Sequence, residues 1–133
     1  MNMLLRTTFF SVAALLSVSA GVSTQVAPAS TADGVYVVPQ ARRGDVVFAD
    51  RCAACHSDPF WREGWEGRRL DYLFTTISNF MPEDNPGSLA EADVTDVMAF
   101  ILSQSGFPAG SRPLPPDVDV LAMIAITTPT PSR

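Results

Sequence analysis

Five consecutive residues constrain this chain more than any others: Cys52-Ala53-Ala54-Cys55-His56. They hold both cysteines and the one histidine among 133 residues. Two cysteines three apart with histidine directly after the second form the attachment pattern for c-type haem. Each thiol can bond one haem vinyl group as a thioether, and the histidine can coordinate iron from one face. Three other chemistries use a CxxC pair: a thioredoxin-like dithiol, half a zinc site, or a local disulfide. A zinc site takes about four protein ligands, more than the cysteines and histidine here supply. A thioredoxin-like site belongs near a βαβ pattern, and none is readable.

The address of the chain bears on that choice. Arg6 followed by an apolar stretch from Phe9 to Val18 reads as a secretory signal peptide over residues 1–20. Val18-Ser19-Ala20 is the first candidate cleavage site and Ala27-Pro28-Ala29 the second. The apolar run is shorter than the ~20 residues that span a bilayer, which favours cleavage over a retained anchor. Export across the inner membrane is expected, with no stable membrane anchor. What remains suits one small domain.

The chain carries a net charge of −5 and no lysine. The signal segment holds one arginine and no acid, so its removal makes the domain more acidic still. That balance argues against nucleic acid as a partner. It also argues against a lysine-ringed docking face, so an electrostatically steered partner presents positive charge.

Residues 21–38 show no period and read as a flexible lead, with Val35 to Val38 as a short strand or packed arm. Pro39 precedes a first helix, Gln40 to about Ala53, with Gly44, Val47, Phe48 and Cys52 near one face. Gly44 lets another helix cross closely. Residues 57–67 read as a loop containing Pro59, Trp61 and Trp65. Arg68 to Asn79 reads as a second helix with Leu70, Leu73, Phe74 and Ile77 on one face, ended by Met81-Pro82. Ser88 to Glu91 matches a capping box opening a third helix, whose apolar side is Val94, Val97, Met98, Ile101 and Leu102. Gly106 stops it. Prolines 108, 113, 115 and 116 forbid regular helix next. Leu114, Val118, Leu121, Met123, Ile124 and Ile126 are too apolar for a free tail, so 107–126 packs back, with a helical turn at Val118 to Ile124. The domain therefore spans 39–126, and 127–133 reads as disordered.

A haem iron held by one histidine needs a sixth ligand, and the sequence has no second histidine. Met1 and Met3 leave with the signal, Met98 falls on an apolar helix face, and Met123 lies in the tail. Met81 sits in a loop stiffened by Pro82, which makes it the candidate distal ligand. His/Met ligation suits electron-transfer cytochromes. Core gap-filling is the commoner use of methionine. Arg68 and Arg69 are candidates to pair with haem propionates, or to face solvent at a helix start. Trp65 and Trp61 are candidates to hydrogen-bond a propionate or to cover the haem.

Taken together, the chain resembles the class I c-type cytochromes. Within them it is similar to monohaem cytochromes and cytochrome domains that accompany bacterial quinoprotein dehydrogenases. The resemblance rests on 52–56, on Trp65-Glu66-Gly67-Arg68-Arg69-Leu70, on Met81-Pro82 through Ser88-Leu89, and on Val94 to Leu102. Phe107-Pro108-Ala109-Gly110 and the tail extend it over about 40–126. It implies an all-α class I cytochrome c fold: about three main helices around one covalent haem, with first and last helices crossing. Gly44 and Phe48 match the first helix's contact positions and Phe100 the last helix's aromatic. One departure is the short loop after His56, where Pro59 is the only proline placed to accept a hydrogen bond from the histidine. The resemblance implies a non-enzymatic periplasmic electron carrier. Its donor would be a quinoprotein dehydrogenase and its acceptor another cytochrome or a terminal oxidase of a respiratory chain. A subunit of a dehydrogenase complex would share the same features. A haem sensor with an open sixth site, and a haem-free thiol or partner-binding module, are the readings from other classes.

Overall fold

A computed structural model describes residues 28, 30–56 and 64–129. The signal segment, Pro59, Trp61 and the last four residues lie outside them. The described chain is all-helical: α1 (Val38–Arg51), α2 (Leu70–Phe80), α3 (Glu91–Gln104) and a single turn, α4 (Val118–Leu121). Among the described residues there is no strand, only isolated bridges from Ala125 to Ser30 and to Arg69.

α1 and α3 form the main crossing. A β-carbon on Gly44 would fall 1.8 Å from the Asp96 carbonyl oxygen and 2.9 Å from Phe100 Cβ. The two backbones touch there, and only glycine permits it. One turn further on, Phe48 meets Phe100 with ring centroids 5.1 Å apart. Beside the contact, the Arg43 guanidinium grips the buried Asp96 carboxylate through Nε at 2.6 Å and Nη2 at 2.7 Å. That pairing raises the Arg43 pKa through its hydrogen bond to Asp96, so the arginine is charged at any physiological pH.

α2 buries all four residues of its expected apolar face, Leu70, Leu73, Phe74 and Ile77. α3 buries Val94, Val97, Met98, Ile101 and Leu102. Met98 is thereby a core residue, as its helical position suggests. Gly106 follows the helix with φ +87, the left-handed conformation that stops it.

The tail packs back. Leu114, Leu121, Ile124 and Ile126 are buried, whereas Val118 and Met123 are exposed. The Asp117 carboxylate accepts from the backbone N–H groups of Asp119 and Val120, which caps α4. Residues 124–126 then run beside the entry to α2: Leu70 N donates to Ile124 O, Ile126 N to Arg68 O, and Gly67 N to Ile126 O.

Four expectations need correction. Residues 30–37 are not a loose lead. A 3-10 turn at Thr31–Asp33 precedes Val35 and Tyr36, which join the core. The Tyr36 hydroxyl donates to Phe107 O at 2.8 Å, and Gly110 N donates to Tyr36 O. Burial pushes the Tyr36 phenol above its ordinary pKa. Second, α1 starts at Val38 with Pro39 inside its first turn, where a missing N–H costs nothing, and it ends at Arg51. Buried Gln40 binds both backbone groups of Leu114. Third, the Ser88 capping box does not form. Ala90 is the N-cap of α3, and Ser88 Oγ instead accepts from Arg51 Nη2 at 3.2 Å. Fourth, order continues past Ile126: Thr127 N donates to Thr31 Oγ1, and Thr128 Oγ1 bonds the Glu66 carboxylate.

Candidate haem site

The Cys52-Ala53-Ala54-Cys55-His56 segment continues the spiral of α1 as a hydrogen-bonded turn. Phe48 O accepts from both Cys52 N and Ala53 N at 2.9 Å. Cys52 O accepts from both Cys55 N and His56 N at 3.0 Å. This geometry holds the two thiols and the imidazole on one short, rigid segment. No disulfide joins the cysteines. Cys52 and His56 are half-buried and Cys55 is exposed. Burial pushes the Cys52 thiol up from its ordinary pKa, and the nearby Arg51 charge offsets only part of that.

Met81 is the C-cap of α2. Its N–H still bonds Ile77 O at 3.1 Å, but its backbone is extended (φ −119°, ψ 149°) and leads through a cis peptide into buried Pro82. The side chain is half-buried against the core. It shares that status with Val47, Cys52, Trp65, Leu89 and Phe100, which pack on the core and are incompletely covered. These residues come from α1, its terminal turn, the approach to α2, the end of α2, the approach to α3 and α3 itself. Cys52 and Met81 thus both pack, part-covered, against one core. Arg51 Nη2 and Ser88 Oγ tie the end of α1 to the loop after Met81. Nothing in the local sequence pattern around Ser88 points to that bond.

The two arginines have local commitments. Arg68 donates from Nε to Gly64 O at 3.0 Å, and its guanidinium lies 4.1 Å above the Tyr72 ring. Arg69 donates from Nη1 to Met123 O at 3.3 Å. Trp65 packs on the other side of the cluster, 5.8 Å from Tyr72. Tyr72 is the residue here that sequence reasoning passed over; its i, i+4 spacing from Arg68 is the signal that could have found it. Two polar atoms on α2, Asp71 Oδ1 and Ser78 Oγ, are buried without a hydrogen-bond partner. They lie seven residues apart, on one side of the helix that ends at Met81.

Among the described residues there is no group of three or more His, Cys, Asp or Glu able to hold a metal ion. Two thiols on one turn with an adjacent imidazole are the groups that a covalent haem would take, and Met81 offers a thioether. No helix among the described residues is long and apolar enough to cross a membrane. No family model matches the chain, and neither a curated protein nor a solved structure matches it.

Proposed function

We propose that this chain is a periplasmic one-electron carrier with one covalent haem c, built on the class I cytochrome c fold. The observation that carries the reading is the hydrogen-bonded CxxCH turn at the end of α1, which Arg51 ties through Ser88 to the loop that follows Met81. The α1–α3 contact through Gly44, with Phe48 against Phe100, supports the fold assignment. Such a haem, when bound, supplies a reversible one-electron iron couple.

The protein's own residues do the rest. Cys52 and Cys55 provide the thioether sulfurs, and the turn at Cys52 O fixes their spacing relative to His56. The His56 nitrogen and the Met81 sulfur would hold the haem iron. Thioether ligation favours the reduced state and raises the potential. Two protein ligands of this kind would suit a carrier rather than an enzyme. Val47, Trp65, Leu89 and Phe100, part-covered against the core, are the apolar side chains that could cover such a group. Donor and acceptor would be redox proteins, a quinoprotein dehydrogenase and a cytochrome or terminal oxidase. A cytochrome subunit of the dehydrogenase itself is the same chemistry in a fixed complex.

The test is intact mass of the chain matured in a periplasm, after acid-acetone extraction. Retention of one haem mass is expected, with a sharp reduced-minus-oxidised spectrum. A chain that emerges without it sinks the reading. Met81→Ala is expected to abolish the low-spin spectrum while leaving haem covalently attached. An unchanged spectrum in that variant would favour the sensor reading.

A further inference from the structure

α2 ends on an aromatic side chain that the fold leaves uncovered. Phe80 is 62% exposed, although Leu73 and Ile77 on the preceding turns are fully packed. It directly precedes Met81. The surrounding sequence is one-sided in charge: from Leu70 to Ser111 there is no basic residue, against Asp71, Glu83, Asp84, Glu91, Asp93 and Asp96. Most of these acids have a structural reason to be where they are. Asp96 is paired with Arg43. Asp71 is half-buried. Glu91 and Asp93 occupy the first turn of α3, where the partial positive charge of a helix N-terminus favours them. Glu83 and Asp84 have neither role. Both are exposed, and neither is in a salt bridge among the described residues. They sit in the turn closed by Asn85 N to Pro82 O, no more than ~15 Å of chain from Phe80.

An exposed aromatic anchor beside a charged rim is the anatomy of a protein interface. We propose that Phe80, Glu83 and Asp84 form the docking face for a redox protein whose contact surface is rich in lysine and arginine around an apolar centre. The inference rests on the electron-carrier reading, because docking there brings the partner beside the iron ligand Met81. Tunnelling rates fall steeply with distance, so a face at an axial ligand is where contact is productive. The reduced carrier loses one electron and the partner's ferric haem gains it; no proton or atom changes place. The acidic rim steers the encounter, and Phe80 supplies apolar burial once contact is made.

The experiment uses the full haem-loaded chain in stopped flow. Its oxidation by a lysine-rich cytochrome c is followed across ionic strength, and the same partner with succinylated lysines is the charge-reversed control. The native partner is expected to react at least ten times faster than the succinylated one at low salt, with a rate that falls as salt rises. Glu83→Gln with Asp84→Asn should slow the native partner several-fold at low salt and flatten the salt dependence. Asp119→Asn, an exposed acid on α4, should change neither. Phe80→Ala should slow it about fivefold or more at all salt concentrations with the spectrum unchanged. Equal rates for native and succinylated partners overturn the proposal. So does a Phe80→Ala variant that shifts the haem spectrum but keeps the partner rate, since Phe80 would then cover the haem itself. A chain without covalent haem instead ends the carrier reading, and this inference with it.

Discussion

At the scale of single residues, Gly44 is among the tightest constraints in the described residues. The obstacle to a side chain there is backbone, the Asp96 carbonyl at 1.8 Å, so no rotamer change relieves it. Gly44→Ala must push α1 and α3 apart, which loosens Phe48 against Phe100 and lengthens the Arg43–Asp96 bonds. The expected cost is about 3 kcal/mol. Urea denaturation checks it, and a loss under ~1 kcal/mol would show that the helices slide freely. Gly110 is held as tightly: its β-carbon would lie 1.9 Å from Gly34 O. The first of these contacts was legible, because a glycine four residues before an aromatic on a helical face marks a crossing. The second was not, because its partner lies in the N-terminal arm, far away in sequence. The candidate site divides in the same way. Cys52, Cys55, His56 and Met81 are proposed from residue type and spacing. The guanidinium of Arg68 could be assigned only once Tyr72 was seen beneath it.

At the scale of elements, α2 was read with the right face because all four of its apolar residues bury against one core. The start of α3 departs from its local pattern, with Ala90 and not Ser88 as the N-cap. The S-x-x-E pattern at Ser88 competes with Arg51, and the hydroxyl goes to the arginine. Such competition is invisible locally. The arm at 30–37 packs from Thr31 on, not only over Val35 to Val38, for a similar reason: its partners are Phe107, Gly110, Ala125 and Thr127, all in the tail. Tyr36 gives that arm a measurable pH signature. Burial raises its phenol pKa above the ordinary 10.0, because the charged form is disfavoured in the fold. The folded state therefore holds the proton more tightly than the unfolded state. Its contribution is complete below about pH 10 and is lost as pH rises through the folded value. Thermal melts should show stability falling above pH 10, and Tyr36→Phe should remove that component. The same substitution loses the bond to Phe107 O, at about 1 kcal/mol near neutral pH. An alkaline fall that persists unchanged in Tyr36→Phe would assign it to another group.

At the scale of the whole molecule, the tail is what closes the domain. α1 and α3 cross by themselves, but α2 reaches the fold through two sides: α3 on one and the tail residues on the other. Leu70 is fully buried, and its N–H and the neighbouring Arg68 carbonyl are bonded by Ile124 and Ile126. Thr31 N bonds Ala125 O from the opposite side, so one tail segment joins the N-terminal arm to the start of α2. Deleting residues from Asp117 onward removes Leu121, Ile124 and Ile126 from the core. At roughly 2 kcal/mol for each buried aliphatic side chain, the loss is on the order of 6 kcal/mol. That rivals the ~5–15 kcal/mol that holds a typical domain together. The truncated chain is expected to lose cooperative melting by circular dichroism. Its α2 would no longer present Met81 at a fixed place, so any haem retained through Cys52 and Cys55 should also lose its low-spin spectrum. Cooperative melting within a few degrees of the full chain, with that spectrum intact, would show instead that α1, α2 and α3 close the fold alone. The tail would then be a covering and not a part of the frame that positions the ligand loop.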